Sequence, residues 1–87
     1  MEDPYDILMY PLRTEKAVRE VEANNCILFI VNSEATKKQI KWAVEKAFKV
    51  KVNSIRTLKD MRGRKKAYIK LSNETPAIDI STELGLI

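Results

Sequence analysis

Six apolar residues in a row, Cys26-Ile27-Leu28-Phe29-Ile30-Val31, limit the fold more than any other stretch of this chain. A strand with one face in water alternates apolar and polar side chains. This run does not alternate, so it reads as a central strand covered on both faces. It is far short of the roughly 18–20 apolar residues that a membrane span needs, and no apolar run in the chain is longer. At 87 residues the chain is expected to form one domain over 1–87. A chain of that size buries only about 60% of its unfolded surface, so one core must serve both faces of the strand.

The flanking sequence supplies the elements for that core. Ile7-Leu8-Met9-Tyr10 ends at Pro11, which cannot donate to a ladder, and suits a brief edge strand. Thr14 is placed as an N-cap, with Glu15 in the first turn, where the helix dipole favours a carboxylate. Ala17, Val18 and Val21 follow at helical spacing, with Arg19, Glu20 and Glu22 elsewhere on the wheel, and Asn24-Asn25 ends the helix in left-handed geometry. Thr36-Lys37-Lys38-Gln39 has the form of a capping box. Ile40, Ala43, Val44, Ala47 and Phe48 then make an amphipathic stripe, which turns Trp42 to the outer face with Lys38, Glu45 and Lys49.

Val50-Lys51-Val52 and Ile55-Arg56-Thr57-Leu58 read as a further strand whose imperfect alternation implies a bulge. The turn Met61-Arg62-Gly63-Arg64 leads into Ala67–Leu71, where Ala67, Ile69 and Leu71 point one way and Lys66, Tyr68 and Lys70 the other. Thr75-Pro76 reads as a cap and first helical position for a closing helix over Ala77–Leu84, with Gly85 as its stop. The order strand, helix, strand, helix, hairpin, helix gives an α+β class. With the last strand between the two before it, the core is a split βαβ, and helices lie on a four-stranded mixed or antiparallel sheet in a two-layer or partly three-layer sandwich.

Charge is segregated along the chain. Residues 37–70 hold 13 of the 16 Lys and Arg and only two acids, Glu45 and Asp60, while the segments on either side are net acidic. An extended polyanion is the simplest partner for such a centre. Catalysis is not expected. The chain has no histidine, its acids lack metal-ligand spacing, and its two glycines cannot build a phosphate-cradling loop. No cofactor, metal or small-molecule substrate is implied. The single cysteine, Cys26, lies in the apolar strand as a small core residue and fits a reducing compartment. The acidic start MEDPYD lacks the order of a signal peptide, so the expected place is the cytoplasm, without membrane insertion.

Lys37, Lys38 and Lys41 oppose the dipole at the start of the second helix, a cost of about a few tenths of a kcal/mol each that a bound phosphate reverses. A solubilising face is the other reading of these three. Arg56, Lys59, Arg62, Arg64, Lys65 and Lys66 crowd one hairpin. Protection of a sheet edge accounts for one or two of these cations, not six, so phosphate binding is expected. Tyr68, between Lys66 and Lys70, either stacks on a base or ribose or lies beneath the closing helix. Trp42 serves either an intermolecular contact or burial against the C-terminal segment or a neighbouring protein.

Several blocks in order resemble a known family. Pro11-Leu12-Arg13-Thr14-Glu15-Lys16-Ala17 resembles the P-x-x-[ST]-E-K-A motif of large-subunit ribosomal protein L twenty-three. The stretch from Ala35 to Glu45 is similar to that family's A-T-K-x-x-I-K-x-A-V-E, Phe48–Val52 to its F-x-V-x-V, Asn53–Thr57 to its next strand, and Lys65–Tyr68 to its K-K-A-Y. The resemblance implies a structural constituent of the large ribosomal subunit. It would bind domain III of the large rRNA beside the exit of the polypeptide tunnel, touch neighbouring ribosomal proteins, and offer a docking surface to nascent-chain factors.

On that reading the rRNA-binding candidates are Arg13, Lys16, Lys37, Lys38, Lys41, Arg56, Lys59, Arg62, Arg64, Lys65, Lys66, Tyr68 and Lys70. The acids of the first helix turn to solvent and to factors. Glu15, which falls on the family's docking glutamate, is the protein-docking candidate with Glu20 and Trp42. Only about Met61–Lys65 stand where bacterial members carry a long hairpin, and the ending Ile80 to Ile87 looks archaeal or eukaryotic. The short archaeal type implies signal recognition particle, not trigger factor, as the partner. Two rivals stand beside this reading. One is a free-standing single-strand RNA binder of the RRM type, for which Lys66–Leu71 supplies Tyr68 but not the other aromatics. The other is a module that mainly docks proteins.

Overall fold

A computed structural model describes residues 4–83. After a 3-10 turn at Pro4–Asp6, the elements in chain order are β1 (Leu8–Pro11), α1 (Glu15–Asn24), β2 (Cys26–Val31), α2 (Lys37–Phe48), β3 (Val52–Lys59), β4 (Lys65–Leu71) and α3 (Ala77–Glu83). The expected helix end at Leu84 and Gly85 lies outside the described residues. The four strands form one sheet in the order β1-β2-β4-β3, and every neighbouring pair is antiparallel. β2 and β3 therefore run the same way with β4 between them, which is the split βαβ arrangement. β1 pairs antiparallel with β2 although a helix joins them. Pro11 pairs with Phe29, three residues past the start of β2, so the intervening helix leaves and returns at one end of the sheet.

All six residues of β2 are buried, as their lack of alternation requires. One sheet face carries Ile27, Phe29, Ala67, Ile69 and Leu71 into the main core, where Ile40, Ala43 and Val44 of α2 and Ala77 and Ile80 of α3 meet them. Phe29 and Phe48 meet there with ring centroids 6.0 Å apart. Burying a side chain such as Ile40 or Val44 stabilises the fold by about 1.5–3 kcal/mol relative to exposing it. The other face carries Leu28 and Tyr68, on which α1 lays Ala17, with Leu12 beside them.

Local signals fix both long helices. Thr14 Oγ1 accepts the Ala17 N–H at 3.2 Å, and Asn25 closes α1 with φ 55°. Thr36 and Gln39 form a reciprocal capping box, with bonds of 3.2 and 3.0 Å, and Lys49 closes α2 with φ 56°. Because Lys49 turns the chain there, β3 begins at Val52 rather than Val50, and the register shift falls between Val52 and Ser54.

Three expectations are corrected. Trp42 is not on an open outer face. It is half-buried and packs against the main core, on a helix beside which the N-terminal 3-10 turn also packs. Glu45 is half-buried as well, and its Oε2 accepts the Val52 N–H at 3.1 Å beside the bulge. The first N–H of α3, at Ala77, donates not to a local cap but to Asn25 Oδ1 at 2.6 Å, from 52 residues away.

Candidate nucleic-acid interface

Strand alternation sorts the cations of the hairpin. Arg56 pairs with Tyr68, Lys66 lies between Ile30 and Leu58, and Lys70 lies between Cys26 and Ser54, so these three cations share the sheet face that carries Leu28. Lys59 and Lys65 are paired with each other and point to the opposite face. The six hairpin cations are thus not one cluster, because the pleat divides them.

The centre of the first group is Tyr68, which is only 6% exposed. Its ring is covered by the Arg56 guanidinium, 4.7 Å from the centroid, and by Lys16 Nζ at 5.9 Å. The helix above it is α1, not the closing helix. Tyr68 therefore offers no open ring for a base to stack on. It acts as a platform that orders two cations, each such contact being worth about 0.5–1 kcal/mol at the surface. Arg13 and Lys16, at the entry to α1, are exposed, and Lys16 brings positive charge from the helix onto the same face as Arg56 and Lys70.

On the other side of the sheet, Lys37, Lys38 and Lys41 are exposed and line a shallow groove against Val52, Ser54 and Ile55 of the edge strand β3. With Arg56 on the far face, β3 runs between two sets of cations. The basic surface is an arc around one sheet edge.

The turn between β3 and β4 uses two of the expected binding residues for itself. Asp60 Oδ1 accepts the N–H groups of Arg62 and Arg64, each at 2.9 Å, and Oδ2 accepts Arg64 Nε at 2.7 Å. Arg64 Nη1 reaches Tyr10 Oη at 3.0 Å, across the sheet on β1. These hydrogen bonds, first Tyr10 and then Asp60, push the Arg64 pKa upward, so its charge is fixed. Burial, the largest single influence on Asp60, pushes its carboxyl up. The N–H and guanidinium donors of Arg64 and the N–H of Arg62 together outweigh it and hold the group below its ordinary value. Lys65, half-buried, donates from Nζ to the Ala35 carbonyl at 2.6 Å and ties the start of α2 to the hairpin. Arg64 and Lys65 therefore have internal partners, and Arg62 is the exposed cation of the tip.

The acids divide differently from expectation. Glu15 is exposed and makes a 2.9 Å pair with Arg19, one turn along α1. Glu20 does not share that outward place. It lines a groove with Arg56, Tyr68 and Lys70, because α1 lies over their sheet face. Cys26 is buried in the same groove, and burial, then the nearby Glu20 carboxylate, raises its thiol pKa. Among the described residues no group of three potential metal ligands comes together, and no helix is long and apolar enough to cross a membrane. Compared with known families, residues 6–80 match the model described as Ribosomal protein L23.

Proposed function

The chain belongs to the Ribosomal protein L23 family, and from that premise we propose that its cationic arc binds large-subunit rRNA beside the exit of the polypeptide tunnel. Members of this family are structural proteins of the large ribosomal subunit, not enzymes, and this chain takes its place in the cytoplasmic ribosome with them. One observation carries the RNA reading. Arg56, Lys66 and Lys70 share one sheet face with Lys16, and Lys37, Lys38 and Lys41 continue the same charge around the β3 edge. Cations at these positions neutralise phosphates and release their counterions. Arg62 extends the surface at the tip, while Arg64 and Lys65 hold its shape.

The chain acts as one domain with two working sides. Exposed Glu15, paired only with Arg19 among the contacts described, is the docking point for a nascent-chain factor, with signal recognition particle the expected one. The turn spans only five residues, 60–64, between β3 and β4, which supports the short type that does not reach into the tunnel. Chemical footprinting of large-subunit rRNA with and without the chain tests the placement. Protection confined to domain III supports it, and protection elsewhere overturns it.

A further inference from the structure

The groove that holds Glu20 has chemistry that phosphate binding does not explain. It measures about 420 Å³, with Glu20 and Asn24 from α1, Ser54 and Arg56 from β3, and Tyr68 and Lys70 from β4 as its walls. Small-ligand sites begin at roughly 300 Å³, so there is room for one planar group with its sugar. The Arg56 guanidinium carbon lies 4.7 Å from the Tyr68 ring centroid, and the residue is exposed. A guanidinium held over an aromatic ring and open to solvent is a group on which a nucleobase stacks. Lys70, exposed on the same sheet face and paired with Ser54, suits a phosphate.

Glu20 settles which part of a nucleotide enters. A carboxylate repels a phosphate but accepts N–H groups from the edge of a base. Its Oε2 accepts Asn24 Nδ2 at 3.0 Å, which leaves acceptor capacity on both oxygens and a second N–H on Asn24. Guanine presents N1–H and N2–H side by side with the O6 acceptor next to them, a complement to the carboxylate and the amide. Uracil sets two carbonyl oxygens on that edge, and adenine and cytosine each place a ring-nitrogen acceptor there.

We propose that this groove seats one unpaired nucleotide of the bound RNA, guanine in preference to other bases, stacked on Arg56 and read by Glu20 and Asn24. The proposal rests on the reading of this surface as an RNA interface and adds a base-selective point to it. Glu20 is then a specificity residue of the interface rather than part of a protein-docking face.

The test is titration of the full ¹⁵N-labelled chain at low salt with guanosine 5′-monophosphate, uridine 5′-monophosphate and inorganic phosphate in separate samples. The guanine nucleotide shifts the amides of Asn24, Ser54, Arg56 and Lys70 at concentrations about tenfold lower than the uracil nucleotide, as expected for a two-point edge contact. Glu20→Gln, checked by its spectrum for an intact fold, brings the two nucleotides within about twofold. Equal response to both nucleotides, the same shifts with inorganic phosphate, or shifts confined to Lys37, Lys38 and Lys41 overturns the proposal. A chain that shows no nucleotide preference yet binds rRNA with steep salt dependence overturns this site alone and leaves the wider interface standing.

Discussion

Asn25 joins three elements that are far apart in sequence, and replacing it with glycine isolates that role. The residue closes α1 at φ 55°, and its backbone N–H donates to the Glu20 carbonyl. Its Nδ2 lies 3.2 Å from each of the carbonyls of Leu71, Ser72 and Thr75, and its Oδ1 accepts the Ala77 N–H at 2.6 Å. An amide nitrogen has two hydrogens, so the three carbonyls share two bonds, and the whole side chain supplies three. At about 1 kcal/mol per bond, with some replaced by water at a half-buried site, Asn25→Gly costs about 2–3 kcal/mol. Glycine keeps the left-handed backbone, so this figure contains no strain. Asn25→Ala adds about 1 kcal/mol because alanine disfavours that backbone. For 87 residues the total stability is of order 4–13 kcal/mol, so either change is plain in urea unfolding followed by circular dichroism. A glycine variant within about 0.5 kcal/mol of the parent, or an alanine variant equal to glycine, refutes the reasoning.

Other expectations concern the hairpin and the second helix. Arg62→Ala lowers the slope of log K against log salt for rRNA by about one unit, while Arg64→Ala leaves the slope nearly unchanged and loosens the turn. Filter binding over a salt series separates the two, and equal slopes contradict the division of labour at the tip. The Asp60 carboxyl sits below its ordinary 3.8, so the stability it contributes is full above that pH and is lost as pH falls through the lowered folded value. The Arg62 and Arg64 amide resonances should therefore titrate below pH 3.8, and a midpoint at or above it contradicts the bonding described. Thr36→Ala removes one half of the capping box and costs about 1 kcal/mol in the urea midpoint, while Ser at the same position restores most of it.

What the sequence makes legible here is what local chemistry controls. Thr14 and Thr36 cap the helices that follow them, Asn25 takes the left-handed position, and the unalternated Cys26–Val31 is covered on both faces. What it hides are partners far along the chain. Arg64 meets Tyr10 from 54 residues away, Lys65 meets Ala35 from 30, and Asn25 serves the start of α3 from 52. Charge counting along the hairpin treats Arg56 through Lys66 as one group. The pleat sends neighbours to opposite faces, and only a strand register, Arg56 with Tyr68 and Lys59 with Lys65, shows which belong together. Alternation from Lys66 to Lys70 does carry half of that information. Trp42 is misplaced by the wheel because a wheel shows the helix's own apolar stripe and not how far the surrounding core wraps around it. Glu20 is misread because its side of α1 lies over the sheet, a matter of how the helix crosses and not of its own periodicity.

The salt dependence of rRNA binding by the triple variant Arg56→Ala, Lys66→Ala, Lys70→Ala tests the arc around β3 most directly. Removal of these three cations from the interface lowers the slope of log K against log salt by about two to three units relative to the parent chain. A slope that does not change, in a variant whose circular dichroism matches the parent, contradicts the assignment of that sheet face to RNA.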